Sequence, residues 1–311
     1  MSLFTWLQHR TRRFASQRRA AHGSPRRQTT FRPRLEVLEG RDVPSTLTVT
    51  NNLNSGAGSL GYEIDKAHKG DTIVFAPSLD GQTIYGSFDI SKSLTIQGPG
   101  AGLLTIAEHG PDSGVRVFKI EKSTYVTLSG LTITGGNAIA VRGYFTAYDG
   151  EGGGILNLGT LTVSGCSVSD NFANNYYGDG YGAGIYNAGT LTVTNSTVSG
   201  NSANDYGYIG TYMGFGGGIY NAGSLTVSGC TLSGNVTDRN GGGIFNAGTA
   251  TVSTSTLSSN SALDGGGIYN AGPASALTVS NSVFSGNSAP TAQNGPNIFG
   301  TYTDGGGNTF S

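Results

Sequence analysis

The chain has 311 residues and 52 of them are Gly, about 17% against a usual share of ~7%. Charged residues make up only 12%, roughly half of the ordinary ~25%. Gly, Ser, Thr and Asn stabilise turns or compete with helical hydrogen bonds, so this composition disfavours a helical or doubly wound enzyme. No run approaches the ~18 consecutive apolar residues of a membrane-spanning helix, so we expect none.

The formal net charge of −1 conceals two segments of opposite charge. Residues 1–42 hold ten Arg and three acidic residues, whereas the rest holds eight Lys and Arg against sixteen Asp and Glu. We therefore predict a basic, disordered targeting or tether segment over residues 1–43 and a folded domain over residues 44–311. The acidic domain would repel a phosphate backbone, so nucleic acid is not an expected partner.

A short unit repeats through the second half of the chain. It begins GGGILN at 152, GAGIYN at 182, GGGIYN at 216, GGGIFN at 241 and GGGIYN at 265, and GPNIFG near 298 is a degenerate sixth copy. Each unit continues with a segment close to G-x-LTVS and then SGN. The Ile residues of the five clear units are 30, 34, 25 and 24 residues apart, which indicates that one loop changes length.

Within each unit apolar and polar residues alternate, as Leu161, Thr162, Val163 and Ser164 illustrate. Period two indicates strands, and three short strands per unit separated by Gly and Asn turns indicate one coil of a solenoid. The sequence thus predicts an all-β right-handed parallel β-helix of roughly ten coils stacked ~4.8 Å apart. The segment SLGYEIDKAH at residues 59–68 predicts a short amphipathic helix that caps the first coil.

Two columns of Asn are expected to form hydrogen-bonded ladders inside the turns. The columns are Asn157, Asn187, Asn221, Asn246, Asn270 and Asn171, Asn201, Asn235, Asn260, Asn287. Cys166 and Cys230 share a register two coils apart, roughly 9–10 Å, which is too far for a disulfide. We predict that both are small inward-facing residues.

The segment LEVLEGRDVPST at residues 35–46 resembles an L-E-x-L-E-x-R-x-V-P segment of large exported bacterial proteins. The order GSLGYEI, DTIVFAP, GLTITGGNA and then the GGGI-x-N coils resembles the bacterial β-helix family that includes the polymorphic outer-membrane proteins. Gly61 departs from the Arg usual in that family's G-S-L-R segment. The resemblance implies a secreted or cell-surface bacterial protein, with outer-membrane and adhesive roles among those expected.

Three consecutive coils carry long loops at one corner, residues 143–152, 171–183 and 201–216. Tyr with Gly, Asn and Asp is the composition of adaptable recognition surfaces. The predicted ligand-binding residues are Tyr144, Tyr148, Tyr176, Tyr177, Asp179, Tyr181, Asp205, Tyr206, Tyr208 and Tyr212. A packed set of loops without a ligand is the alternative interpretation.

Catalysis at this corner is a further alternative. Asp149, Glu151 and Asp179 lie on adjacent coils, and paired carboxylates can cleave glycosidic bonds. The spacing does not predict a metal site, and no cofactor is expected. A column of Leu156, Tyr186, Tyr220, Phe245 and Tyr269 faces outward, where it could stack on sugars or form a ladder of its own rings.

The sequence therefore favours an exported or cell-surface β-helix with a non-catalytic structural or adhesive role. Its expected partner is polysaccharide or a surface protein. A polysaccharide-cleaving glycoside hydrolase or lyase on the same fold is the alternative.

Overall fold

The computed structural model describes residues 43–110, 114–139, 150–173, 178–204 and 213–311. The strands of these ranges pair in parallel and in register from one coil to the next. They form three long sheets that run along a right-handed parallel β-helix, as predicted. In these three sheets each interior strand of the described ranges is paired on both sides by its neighbouring coils, so the open edges of the sheets lie at the two ends of the stack.

The ten-strand sheet, counted over the described ranges, carries the T-x-T-x-S segments. Its strands are Thr46–Val49, Thr72–Phe75, Leu94–Gln97, Tyr125–Ser129, Thr160–Ser164, Thr190–Thr194, Ser224–Ser228, Thr249–Ser253, Ala276–Ser280 and Thr303–Asp304. The nine-strand sheet of those ranges precedes the variable loops. Its strands are Gln82–Tyr85, Leu104–Ala107, Thr132–Thr134, Ser167–Ser169, Thr197–Ser199, Thr231–Ser233, Thr256–Ser258, Val283–Ser285 and Thr309–Phe310.

The eight-strand sheet follows the loops and contains the Ile residues of the repeat. Its strands, within the same described ranges, are Phe88–Ile90, Phe118–Ile120, Ile155–Asn157, Ile185–Asn187, Ile219–Asn221, Ile244–Asn246, Ile268–Asn270 and Ile298–Phe299. Two short pairs, Gly180–Tyr181 with Gly214–Phe215 and Ser202–Ala203 with Val236–Thr237, lie at the loop corner. Short 3-10 turns occupy Pro77–Leu79 and Ala292–Asn294.

The core consists of aliphatic columns, one side chain from each coil. Ile155, Ile185 and Ile219 pair in direct register and are fully buried, and Leu161 pairs with Leu191 on the next sheet. The residues between them on each strand point outward. The alternation read from the sequence therefore describes the core correctly, and burial of these columns is the main stabilising term.

Both Asn columns form buried ladders. In the first, each side-chain Nδ2 donates to the Oδ1 of the next coil at 2.7 Å, from Asn157 to Asn270. In the second, the corresponding distances are 2.9–3.0 Å from Asn171 to Asn287. The amides also bond to backbone carbonyls in the turns, so the ladders satisfy polar groups that would otherwise be costly to bury.

A helix over Leu60–Lys66 covers the start of the core. Its N-cap Ser59 accepts a hydrogen bond from the Tyr62 backbone, while Leu60 and Ile64 are buried in the core. Lys92 Nζ donates to the Asp65 carbonyl at 2.6 Å, which satisfies part of the helix C-terminus. The predicted cap is confirmed, and its helical part is shorter than residues 59–68.

Cys166 and Cys230 are both free and buried, as predicted. Their backbone N–H groups donate to Ser196 Oγ and Ser255 Oγ of the following coils at 3.1 Å. Burial raises the pKa of both thiols above the ordinary value, so these groups remain protonated near neutral pH. They occupy small inward-facing positions at which other coils have Ser.

Candidate functional site

The variable loops leave the rod through narrow glycine necks. A Cβ on Gly180 would lie 1.9 Å from the Ala173 carbonyl oxygen, and one on Gly214 would lie 1.7 Å from that of Ala203. The two sides of each loop therefore approach so closely that only glycine fits on one of them. Such a closed neck lets a loop gain residues without disturbing the coil beneath it, which explains the unequal repeat intervals.

Asp179 joins the stems of two successive loops. Its Oδ2 accepts a hydrogen bond from the Tyr181 hydroxyl at 2.9 Å, and its Oδ1 accepts one from the Met213 backbone N–H at 2.9 Å. The Gly180 N–H also donates to the Met213 carbonyl at 2.9 Å. The second and third loops therefore leave the rod in a fixed register, side by side.

Asp238, two coils after Asp179, binds the same stem from the other side, since its Oδ1 accepts a hydrogen bond from the Gly214 N–H at 2.7 Å. The sequence alone did not point to this residue. The segment NVTDRN that contains Asp238 is short. The one sequence feature that could have identified this residue was an acidic side chain at the same corner as the long loops.

The outward aromatic column forms a continuous ladder. Successive ring centroids from Tyr186 to Phe299 lie 4.9–5.1 Å apart, with interplanar angles of 2–10°. Each inner ring therefore has both faces against its neighbours, which leaves only edges for a ligand. The sequence left two alternatives for this column, a ladder of its own rings or a surface for sugars. The ladder is observed, and its geometry excludes the stacking of sugars on the faces of the inner rings.

A second aromatic layer covers part of this ladder. Tyr181 and Phe215 stack at 5.4 Å, and their edges meet Tyr220 at 5.0 Å and Phe245 at 5.4 Å. Phe245 is 8% exposed and Leu156 is fully buried. These side chains point outward from their strands, as predicted. The loop stems nevertheless shield them from water.

Glu151 and Asp179 hold the tyrosines of the corner as hydrogen-bond donors. Burial raises the pKa of Tyr181, Tyr186 and Tyr220, and the charge of Glu151 raises each of them further. Hydrogen bonds to Asp179 and Glu151 also hold the Tyr181 and Tyr186 phenols in the neutral form. These phenols are therefore neutral donors near pH 7 and cannot act as bases there.

The structure brings together three of the predicted residues, Glu151, Asp179 and Tyr181, since Glu151 and Tyr181 form a parallel bridge. The other predicted binding residues and one predicted acid lie outside the described residues. These are Tyr144, Tyr148, Asp149, Tyr176, Tyr177, Asp205, Tyr206, Tyr208 and Tyr212. Ligand binding by this set stays a prediction.

No group of His, Cys, Asp and Glu within the described ranges is arranged to hold a metal ion. Over the same part of the chain, no helix is long and apolar enough to cross a membrane.

Tyr220→Ala is expected to lower the free energy of unfolding by about 2 kcal/mol, because Tyr220 stacks on two rings and meets a third edge-on. The measurement is urea unfolding followed by circular dichroism. Tyr125→Ala is the matched control, since that side chain is 67% exposed and its loss should change stability by less than about 0.5 kcal/mol. Equal losses in the two variants would show that the ladder does not stabilise the rod.

No family model matches this chain, and no curated protein matches it either. Among solved structures, the chain is similar to AlyGC, a PL6 family alginate lyase, at 14% sequence identity with a TM-score of 0.27. The aligned region covers 79% of this chain and 35% of the lyase chain, so this chain spans about a third of that protein's length. The resemblance to polymorphic outer-membrane proteins stays a prediction.

Proposed function

We propose that this chain is an exported bacterial β-helix protein of the cell surface that binds polysaccharide at its loop corner in an adhesive role. The observation that carries the proposal is the hydrogen bond from the Met213 N–H to Asp179 Oδ1, which joins the stems of two loops whose sequences are rich in Tyr. Stems joined in this way start both loops at one corner of the rod, and adaptable polar and aromatic side chains suit an extended glycan.

The charge of the folded domain favours an uncharged polysaccharide. Residues 43–311 hold sixteen acidic against eight basic residues, and the described corner presents Glu151, Asp179 and Asp238. An anionic polymer would be repelled by these carboxylates.

The role of the corner itself is non-catalytic in this proposal. Asp179 Oδ1 accepts the hydrogen bond that joins the two stems, its Oδ2 accepts one from Tyr181 of its own stem, and Glu151 accepts one from Tyr186. Polysaccharide cleavage is a second candidate function, and the groups that favour it lie in a different cleft, which Glu108 and Asp170 line.

The test is sedimentation of the full chain with insoluble uncharged polysaccharides such as cellulose, chitin, mannan and insoluble β-glucan. We expect at least one to deplete the protein from solution. Asp179→Ala should weaken that binding about tenfold, because it removes the side-chain hydrogen bond that fixes one loop stem against the next.

Asp65→Ala is the matched control, since it removes an exposed carboxylate from the capping helix at the start of the rod. Its affinity should equal that of the unmodified chain. Absence of depletion by every polysaccharide, or equal losses in the two variants, would overturn the proposal. Binding of a surface protein without any polysaccharide would replace it with the protein-partner alternative.

A further inference from the structure

A cleft of about 430 Å³ opens at the carboxyl ends of strands of the nine-strand sheet, on the coils that precede the clear repeats and on the first of these repeats. It is lined by Thr83, Tyr85, Thr105, Ala107, Glu108, His109, Gly110, Thr134, Gly135, Asp170 and Phe172. This set combines two carboxyl groups, an imidazole, two further aromatic rings and several hydroxyls. Neither Lys nor Arg is among the lining residues, so the cleft suits an uncharged ligand.

Glu108, Gly135 and Asp170 occupy one register on three successive coils. The Glu108 N–H donates to the Thr134 carbonyl at 3.1 Å, and the Gly135 N–H donates to the Asp170 carbonyl at 3.2 Å. Two coil spacings therefore separate the backbones that carry the two carboxyl groups, roughly 9.5 Å. Opposed carboxyl groups about 6.5–9.5 Å apart leave room for a sugar and a water between them.

Gly135 lies between the two residues that carry the carboxyl groups and has no side chain of its own. A Cβ at this position would lie 2.3 Å from the Glu108 carbonyl oxygen, and the residue has a φ of +72°. A side chain is excluded here by both sterics and backbone conformation. No side chain of this coil therefore stands between Glu108 and Asp170.

Asp170 departs from the residue type that its position favours. The equivalent residues on later coils are Gly200, Gly234, Ser259 and Gly286, with φ values of +65°, +62°, +55° and +59°. Asp170 adopts the same left-handed conformation at +54°, which costs free energy for a residue with a side chain. Asp170 lines the cleft, so a carboxyl group stands there at a position where three of the four later coils carry glycine.

Glu108 stands against an aromatic wall on the other side of the gap. The neighbouring His109 ring stacks on Tyr85 with centroids 4.7 Å apart and planes at 6°. Burial raises the pKa of the Glu108 carboxyl, against opposing effects of a backbone hydrogen bond and the charge at His109. A raised pKa suits a carboxyl group that donates a proton to a leaving oxygen.

We propose that this cleft hydrolyses a glycosidic bond of an uncharged polysaccharide with inversion, Glu108 acting as general acid and Asp170 as general base. Asp170 takes a proton from a water whose oxygen forms the new bond to the anomeric carbon. The bond from that carbon to the leaving oxygen breaks, and this oxygen takes the proton of Glu108. Proton exchange with solvent then restores both carboxyl groups. The inference rests on the proposed function only for its substrate class.

The test incubates the full chain with soluble uncharged polysaccharides, such as xylan, galactomannan and mixed-linkage β-glucan, and measures new reducing ends. We expect release of product with the anomeric configuration opposite to that of the bond cleaved, read by proton NMR at early times. Glu108→Gln and Asp170→Asn should each lower the rate at least about 100-fold. Neither change should alter sedimentation with insoluble polysaccharide.

Both variants are expected to fold. Asn already adopts the same left-handed conformation in this chain at Asn195 and Asn281, each with a φ of +49°, so Asp170→Asn suits its backbone. Glu121→Gln is the control for Glu108→Gln, because Glu121 pairs with Lys119 away from the cleft and its loss should leave the rate unchanged.

Three outcomes overturn the inference. Binding to insoluble polysaccharide without release of reducing ends would refute hydrolysis and leave the proposed function intact. Product of retained configuration would refute the inverting assignment. Hydrolysis at an unchanged rate in both variants would refute the roles of Glu108 and Asp170.

Discussion

Asn221→Ala is expected to lower the free energy of unfolding by about 3 kcal/mol. The side-chain Oδ1 accepts from Asn187 Nδ2 at 2.7 Å, and Nδ2 donates to Asn246 Oδ1 at 2.7 Å and to the Thr249 carbonyl at 3.1 Å. All three Asn side chains are fully buried, so water cannot replace the lost partners. Stabilities of folded domains are about 5–15 kcal/mol, which makes this a large fraction of the total.

Urea unfolding at equilibrium measures the change, with Asn52→Ala as the control. Asn52 is exposed and lies before the capping helix, so its loss should change the free energy of unfolding by less than about 0.5 kcal/mol. A loss below about 1 kcal/mol in Asn221→Ala would contradict a stabilising role for the buried ladder.

Gly223→Ala is expected to be at least as damaging, with a loss of about 4 kcal/mol or more. A Cβ on Gly223 would lie 2.0 Å from the Gly189 carbonyl oxygen of the preceding coil. The contact is with backbone, which cannot rotate away, and relief would require two coils to separate and give up paired strands. Positive φ plays no part here, so the clash alone causes the loss.

Differential scanning calorimetry and yield of folded protein report this effect. The control is Gly102→Ala, because no heavy atom lies within 4 Å of the Cβ built there and its φ is not positive. It should leave the melting temperature nearly unchanged. If Gly223→Ala melted at the same temperature as Gly102→Ala, the close approach of successive coils would be refuted.

The coils could be predicted from the sequence because near-identical units repeat the same local pattern. Alternation in Leu161 to Ser164 gave the strand faces, and the equal register of Asn157 and Asn187 gave the ladder. In a solenoid, local contacts repeat, so one unit specifies its neighbours.

The surroundings of the aromatic column could not be predicted in this way. Strand alternation places Phe245 on the outer side, yet a loop stem from a different part of the unit covers it with Phe215. Local periodicity carries no information about such a second layer. The hydrogen bond of Asp179 to Met213 likewise joins residues 34 apart across two loops of different length.

The cleft of Glu108 and Asp170 was missed for a related reason. The early coils depart from the clear repeat, so the sequence does not align Glu108 with Gly135 and Asp170 until strand register is known. Asp170 itself offered a signal, since it replaces the Gly that precedes Asn201 and Asn235 in the later units. Asp tolerates the left-handed conformation, which makes such a replacement easy to overlook.

Hydrogen exchange of the full chain, with and without a polysaccharide that depletes it, tests the proposed binding surface most directly. The account predicts slower exchange in peptides that cover residues 178–183 and 213–217, where Asp179 and Asp238 hold the loop stems. Peptides of the ten-strand sheet, such as those covering Thr190–Thr194 and Ser224–Ser228, should exchange as in the free protein. Protection confined to that sheet, with none at the loop stems, would contradict a binding site at the loop corner.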